Sequence, residues 1–91
     1  MSLLIHQAAV RELEKLPQEA RNRVVSALSD FHETRRGDVR HIRGGLWALR
    51  TGNYRVYFGR KGADLRVVGV DHRSQAYLKE HVEAVEKRLN S

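Results

Sequence analysis

Two sets of residues have types and spacing suited to chemistry on a phosphate. The first is Arg50, Arg55 and Arg66 with Tyr57. Guanidinium groups set close together repel one another unless an anion lies between them. A phosphodiester supplies that anion, and an aromatic ring beside it can stack a base. The plain alternative is pairing with acidic residues of a partner protein. The second set is Asp71-His72-Arg73-Ser74-Gln75-Ala76-Tyr77. His72 is of a residue type that can serve as general acid or base near neutral pH. Arg73 can hold a phosphate, and Tyr77 follows it by four residues, so one helical turn brings the two to the same side. Phosphoryl transfer needs that division of labour: arginine for the developing charge and a tunable group for the proton. The alternatives are a strand-end histidine bonded to backbone and a tyrosine packed on a sheet.

The charge distribution points the same way. The 91-residue chain carries 17 basic and 11 acidic side chains, a net +6. The whole excess lies between residues 39 and 73, where Arg40, Arg43, Arg50, Arg55, Arg60, Lys61, Arg66 and Arg73 face only Asp64 and Asp71. Arginine suits planar, bidentate phosphate contacts, so a polyanionic partner is expected. An arginine-rich solvated surface is the bland alternative. Cysteine is absent, which removes disulfides, thiolate metal sites and a cysteine nucleophile. His6, His32, His41 and His81 are scattered without a His-x-x-x-His pair, so no metal is expected. No apolar run approaches the roughly 20 residues of a membrane span, and no signal peptide is expected, which fits a cytoplasmic protein.

One domain spans residues 1–91, too short for two. Residues 2–6 are apolar and suit an edge strand. Val10, Leu13 and Leu16 then recur at helical spacing up to Pro17. Ala20, Val24, Ala27, Leu28 and Phe31 form a second stripe, so a helical hairpin is expected, with Pro17 in a first turn and Gly37 as its final cap. Strands follow at Val39–Ile42, Leu46–Arg50, Tyr54–Phe58 and Leu65–Val70, broken at Gly44-Gly45, Gly52-Asn53 and Lys61-Gly62. After Ser74, a candidate N-cap, Leu78, Val82, Val85 and Leu89 mark a last helix. The class is α+β, β-α-α-β-β-β-α, with an antiparallel-rich sheet packed against the helical hairpin.

Pairing parity assigns the faces. A two-residue turn at Gly52 makes paired numbers sum to an odd value. One face then carries Trp47, Leu49, Tyr54, Val56, Phe58, Leu65 and Val67 and should take the helices. The other carries Ala48, Arg50, Arg55, Tyr57, Arg66, Val68 and Val70. Trp47 is therefore expected in the core.

Four segments, in order along nearly the whole chain, resemble the RelE/ParE toxin superfamily of toxin–antitoxin systems. They are Glu14-Lys15-Leu16-Pro17 followed by Arg21, then Gly37-Asp38-Val39-Arg40-His41-Ile42-Arg43-Gly44, then Leu49-Arg50-Thr51-Gly52-Asn53-Tyr54-Arg55-Val56-Tyr57-Phe58, and last Val70-Asp71-His72-Arg73 with Tyr77. The resemblance implies a toxin neutralised by a cognate acidic antitoxin, in a toxin–antitoxin hetero-oligomer. In the RelE-like branch it implies metal- and cofactor-free cleavage of mRNA in the ribosomal A site. The ribose 2′-OH attacks the adjacent phosphate. Arg55 and Arg73 would then stabilise the phosphate, Tyr77 would orient the nucleophile or move a proton, and His72 is the local base. Arg50, Tyr57, Arg66 and Arg43 would contact RNA. Some members carry lysines before the glycine turn, where this chain has Leu46 and Ala48. The ParE-like branch shares the fold and poisons DNA gyrase without nuclease chemistry, and a non-catalytic RNA-binding module or decayed toxin is the third alternative.

Overall fold

The hydrophobic periodicity of the chain changes from helical to alternating at Asp38, and the tertiary structure follows that change. A computed structural model describes residues 3–62, 64–72 and 79–90. The elements are β1 (Leu3–Ile5), α1 (Gln7–Glu14), α2 (Gln18–Thr34), β2 (Asp38–Arg43), β3 (Leu46–Thr51), β4 (Tyr54–Lys61), β5 (Asp64–His72) and α3 (Lys79–Leu89). The strands form a single sheet in the order β1-β5-β4-β3-β2, with β1 parallel to β5 and the other pairs antiparallel. The class is α+β as expected, with one more strand between α2 and α3 than the order β-α-α-β-β-β-α contains.

The helical hairpin buries one sheet face. Leu13 of α1 and Val24, Leu28 and Phe31 of α2 pack on Leu49, Val56, Phe58, Leu65, Val67 and Val70. Phe31 and Phe58 meet at 5.1 Å between ring centroids. Fully burying each such side chain is worth about 1.5–3 kcal/mol, so this core carries most of the fold. Trp47 departs from expectation. It stands on this side but near the sheet margin, 40% exposed, with its ring 4.7 Å from that of His41. Val10 is likewise exposed, and Ala9 takes its place in the core.

Local signals also shift by a residue or two. Pro17 is the N-cap of α2 rather than a first-turn residue. Arg35, not Gly37, ends α2 in the left-handed conformation at φ 61°. Its guanidinium donates to the His32 carbonyl at 3.0 Å, which satisfies one of the open helix-end carbonyls. His6 caps α1, its Nδ1 accepting from the Ala8 N–H at 3.0 Å.

Parity holds from β3 to β4, where Thr51 pairs with Tyr54 around Gly52-Asn53. It fails part-way along β5. Tyr57 pairs with Gly69 but Phe58 pairs with Val67, leaving Val68 as an inserted bulge residue. Val70 therefore turns to the hairpin face, and Asp71 turns to the face of Arg55 and Tyr57. The two ends of the molecule grip this bulge. Glu12 of α1 accepts from the Val70 N–H at 3.0 Å, and Arg88 of α3 donates to the Val68 carbonyl at 3.0 Å and to Glu12 Oε1 at 3.1 Å.

The second sheet face is covered by α3. Val82 and Val85 pack on Leu46, Ala48, Tyr57 and Val68, with Ile42 and Leu89 at the margin. Glycine permits the close approach. A Cβ at Gly69 would lie 2.3 Å from Val85 Cγ1. Gly69→Ala is expected to cost about 1–3 kcal/mol by overpacking and to loosen α3 before the sheet. Native-state hydrogen exchange checks this: the α3 amides should exchange faster while those of β3 and β4 keep their ranking.

Candidate functional site

Antiparallel register sets four charges in one row across the sheet. Asp38, Arg50, Arg55 and Asp71 are successive partners on β2, β3, β4 and β5. The two arginines are directly opposed, an arrangement that destabilises a sheet unless compensated. Here each end of the row is a carboxylate, with Arg50 Nε 4.0 Å from Asp38 Oδ2. The row runs from solvent to interior: Arg50 is partly exposed, whereas Arg55 and Asp71 are each 5% exposed.

His81 of α3 closes the buried end. Its Nε2 stands 2.9 Å from Asp71 Oδ2, and its ring lies 5.8 Å from that of Tyr57. Burial pushes the Asp71 carboxyl above the usual carboxylate range, against the pull of Tyr57, His81 and Arg55, while Glu12 adds to the push. Burial, and next the Asp71 charge, also push the Tyr57 hydroxyl well above the ordinary phenol value, with Arg55 opposing. Tyr57 thus stays neutral at physiological pH and is no base. A tyrosine raised in the folded state contributes stability that is complete below the unfolded value, about pH 10, and is lost as pH rises further. Urea unfolding of Tyr57→Phe is accordingly expected to be less alkali-sensitive than that of the parent protein above about pH 10.

The buried end opens on a groove of about 380 Å³ between α1, the end of β5 and α3. Lys15, Asp71, His72 and His81 are among its lining residues. His72 is exposed and meets Tyr54 edge-on at 5.2 Å. The proposed residues therefore separate into three groups. Arg50, Arg55 and His72 gather around the row and groove. Arg43 and Arg66 lie toward the other end of α3, where Arg43 Nη2 donates to Glu86 Oε1 at 2.6 Å and Arg66 Nη1 to the Leu89 carbonyl at 3.3 Å. Tyr57 is wholly buried beneath α3. Arg73 and Tyr77, with the Ser74 cap, lie outside the described residues. Leu46 and Ala48 face α3 and are fully buried, so lysines there would be forced into its apolar contact. Among the described residues no group of three histidine or acidic side chains is placed to hold a metal ion.

Solved structures with the same arrangement of elements decide the fold family. The chain is similar to a chain of the RelBE2 toxin–antitoxin complex from Mycobacterium tuberculosis, at 27% identity and TM-score 0.64, covering 79% of this chain and 96% of that one. The chain has the fold of a RelE-type toxin. A RelB–RelE antitoxin–toxin complex from Methanococcus jannaschii matches at 22% identity and TM-score 0.68, covering 81% of this chain and 94% of that one. An archaeal RelE–RelB complex from Pyrococcus horikoshii OT3 matches at 22% identity and TM-score 0.67, covering 82% and 97%. No family model and no curated protein matches the chain. On this RelE-type fold, His81 and Lys15 are the additions to the candidate site, and Asp71, part of the second sequence set but given no role there, gains one as the partner of His81. No helix among the described residues is long and apolar enough to cross a membrane.

Proposed function

We propose that the chain is the toxin of a type II toxin–antitoxin pair and acts as a metal-independent endoribonuclease on mRNA in the ribosomal A site. The observation that carries this reading is the arginine row ending on a groove lined by His72, set on a RelE-type fold. Cleavage proceeds by attack of the ribose 2′-OH on the adjacent phosphate, giving a 2′,3′-cyclic phosphate and a free 5′-OH. Arg55 and Arg73 supply positive charge to the phosphoryl oxygens, Tyr77 orients the nucleophile or transfers a proton, and Arg50 supports the path of the RNA. Arg43 and Arg66 extend the basic surface.

A basic toxin surface calls for an acidic, partly disordered antitoxin that folds onto it. That partner should co-purify when the two are produced together. A cytoplasmic location follows from the target. A second reading, gyrase poisoning without nuclease chemistry, is favoured by the burial of Arg55 and by the position of Tyr57 beneath α3. One experiment separates the two. The chain is induced in cells, and mRNA 5′ ends and gyrase-linked DNA breaks are mapped in the same samples. Codon-phased cuts support the nuclease. Protein-linked double-strand breaks without such cuts overturn it in favour of gyrase.

A further inference from the structure

The proposed nuclease mechanism needs a proton acceptor for the 2′-hydroxyl and a donor for the leaving oxygen. We propose that His81, held by the buried Asp71 carboxylate, is the acceptor, and that His72 on the same groove is the donor. This assignment rests on the nuclease reading and gives His72 the opposite role to the one its position in the sequence suggested.

The geometry favours His81 over the other histidines. It pairs a ring nitrogen with a carboxylate that is almost wholly buried, Nε2 to Oδ2 at 2.9 Å. The contact is an ion-pair approach without hydrogen-bond geometry, so the carboxylate acts by its charge and stabilises the imidazolium once formed, while the burial of Nε2 leaves Nδ1 as the nitrogen to take a proton. A quarter of the His81 side chain stays open to solvent, and it lines the 380 Å³ groove with His72. The surrounding charges suit the step. Asp71 from β5, Arg55 and Tyr57 from β4, and Glu12 and Lys15 from α1 all face this region. Glu12 is already engaged by Arg88 and the Val70 N–H, whereas Lys15 is exposed on the groove and adds positive charge where the phosphate would sit.

The step balances as follows. His81 Nδ1 takes the 2′-hydroxyl proton as the 2′-oxygen bonds to phosphorus. The bond from phosphorus to the 5′-oxygen breaks, and that oxygen takes a proton from the His72 imidazolium. The products are a 2′,3′-cyclic phosphate and a 5′-hydroxyl. Exchange with solvent then returns the proton from His81 to His72. No metal or external reactant is consumed.

The test is single-turnover cleavage of mRNA on programmed ribosomes by the full chain. His81→Ala is expected to cut about 10²–10⁴-fold more slowly, with partial rescue by added imidazole. The parent pH–rate profile should be bell-shaped. His81→Ala should lose its acidic limb and His72→Ala its alkaline limb. His81→Gln keeps an N–H donor for Asp71 but cannot take a proton, so it should fold, bind ribosomes and remain slow. Parent-like cleavage by both His81 variants overturns this assignment and leaves the nuclease reading standing. So does a loss with no imidazole rescue and an intact acidic limb, which makes His81 structural. No cleavage by the parent protein, on ribosomes or in cells, removes the nuclease reading and this assignment with it.

Discussion

Asp71→Ala is expected to lower the unfolding free energy by about 3–5 kcal/mol, the cost of leaving a buried partner charge uncompensated. Arg55 and Asp71 are register partners and equally buried, and the other cross-strand neighbour of Arg55 is Arg50. Removing the carboxylate leaves two guanidinium groups opposed on adjacent strands, with the exposed Asp38 at the far end of the row. A 91-residue domain has a total stability of about 5–14 kcal/mol, so the loss is a large share of it. The double variant Arg55→Met with Asp71→Leu removes both charges and keeps volume. It is expected within about 2 kcal/mol of the parent protein or above it. Urea midpoints at unchanged slope measure both. A double variant as unstable as Asp71→Ala would show that packing, and not charge pairing, sets the cost.

Arg73→Ala is expected to reduce cleavage by about 10²–10³-fold, or about 3–4 kcal/mol of transition-state stabilisation. As the new bond to phosphorus forms, negative charge grows on the phosphoryl oxygens, and a guanidinium placed there acts more strongly on that state than on the bound RNA. Arg55→Ala should lose cleavage for two superposed reasons, since it also removes one of the cations facing Asp71. Arg73 therefore carries the catalytic test, with antitoxin co-purification and the urea midpoint measured in parallel. Tyr77→Phe keeps the ring and removes the hydroxyl. Undiminished cleavage by it would confine Tyr77 to packing or stacking. If Arg73→Ala and Arg55→Ala both remain toxic, gyrase becomes the target to pursue.

The helices, the strands and the hairpin face were legible because each rests on a local period and a turn of known length. The face parity of β3 and β4 followed from a two-residue turn at Gly52, and the structure centres that turn on Gly52-Asn53. The far half of β5 was not legible by parity, because one inserted residue at Val68 exchanges its faces. A signal was present in the run Val67-Val68-Gly69: two adjacent valines followed by a glycine fit a bulge better than strict alternation. That miss concealed the site, since strict alternation puts Asp71 under the helical hairpin rather than opposite Arg55. Trp47 failed for a different reason. Parity chooses a side of the sheet but not how far the covering helices extend over it. His81 carried no signal at all, because its partner is ten residues away and becomes a neighbour only when α3 folds back.

The parallel pairing of Leu3–Ile5 with Leu65–Val67 has a consequence for the chain as it is synthesised. The first strand to emerge pairs with one made 62 positions later. At about 5–20 residues per second, it waits about 3–12 s for its place in the sheet. The α3 segment that carries His81 is translated later still. Until then the Asp71 end of the charged row and the groove beside it lack the helix that closes them.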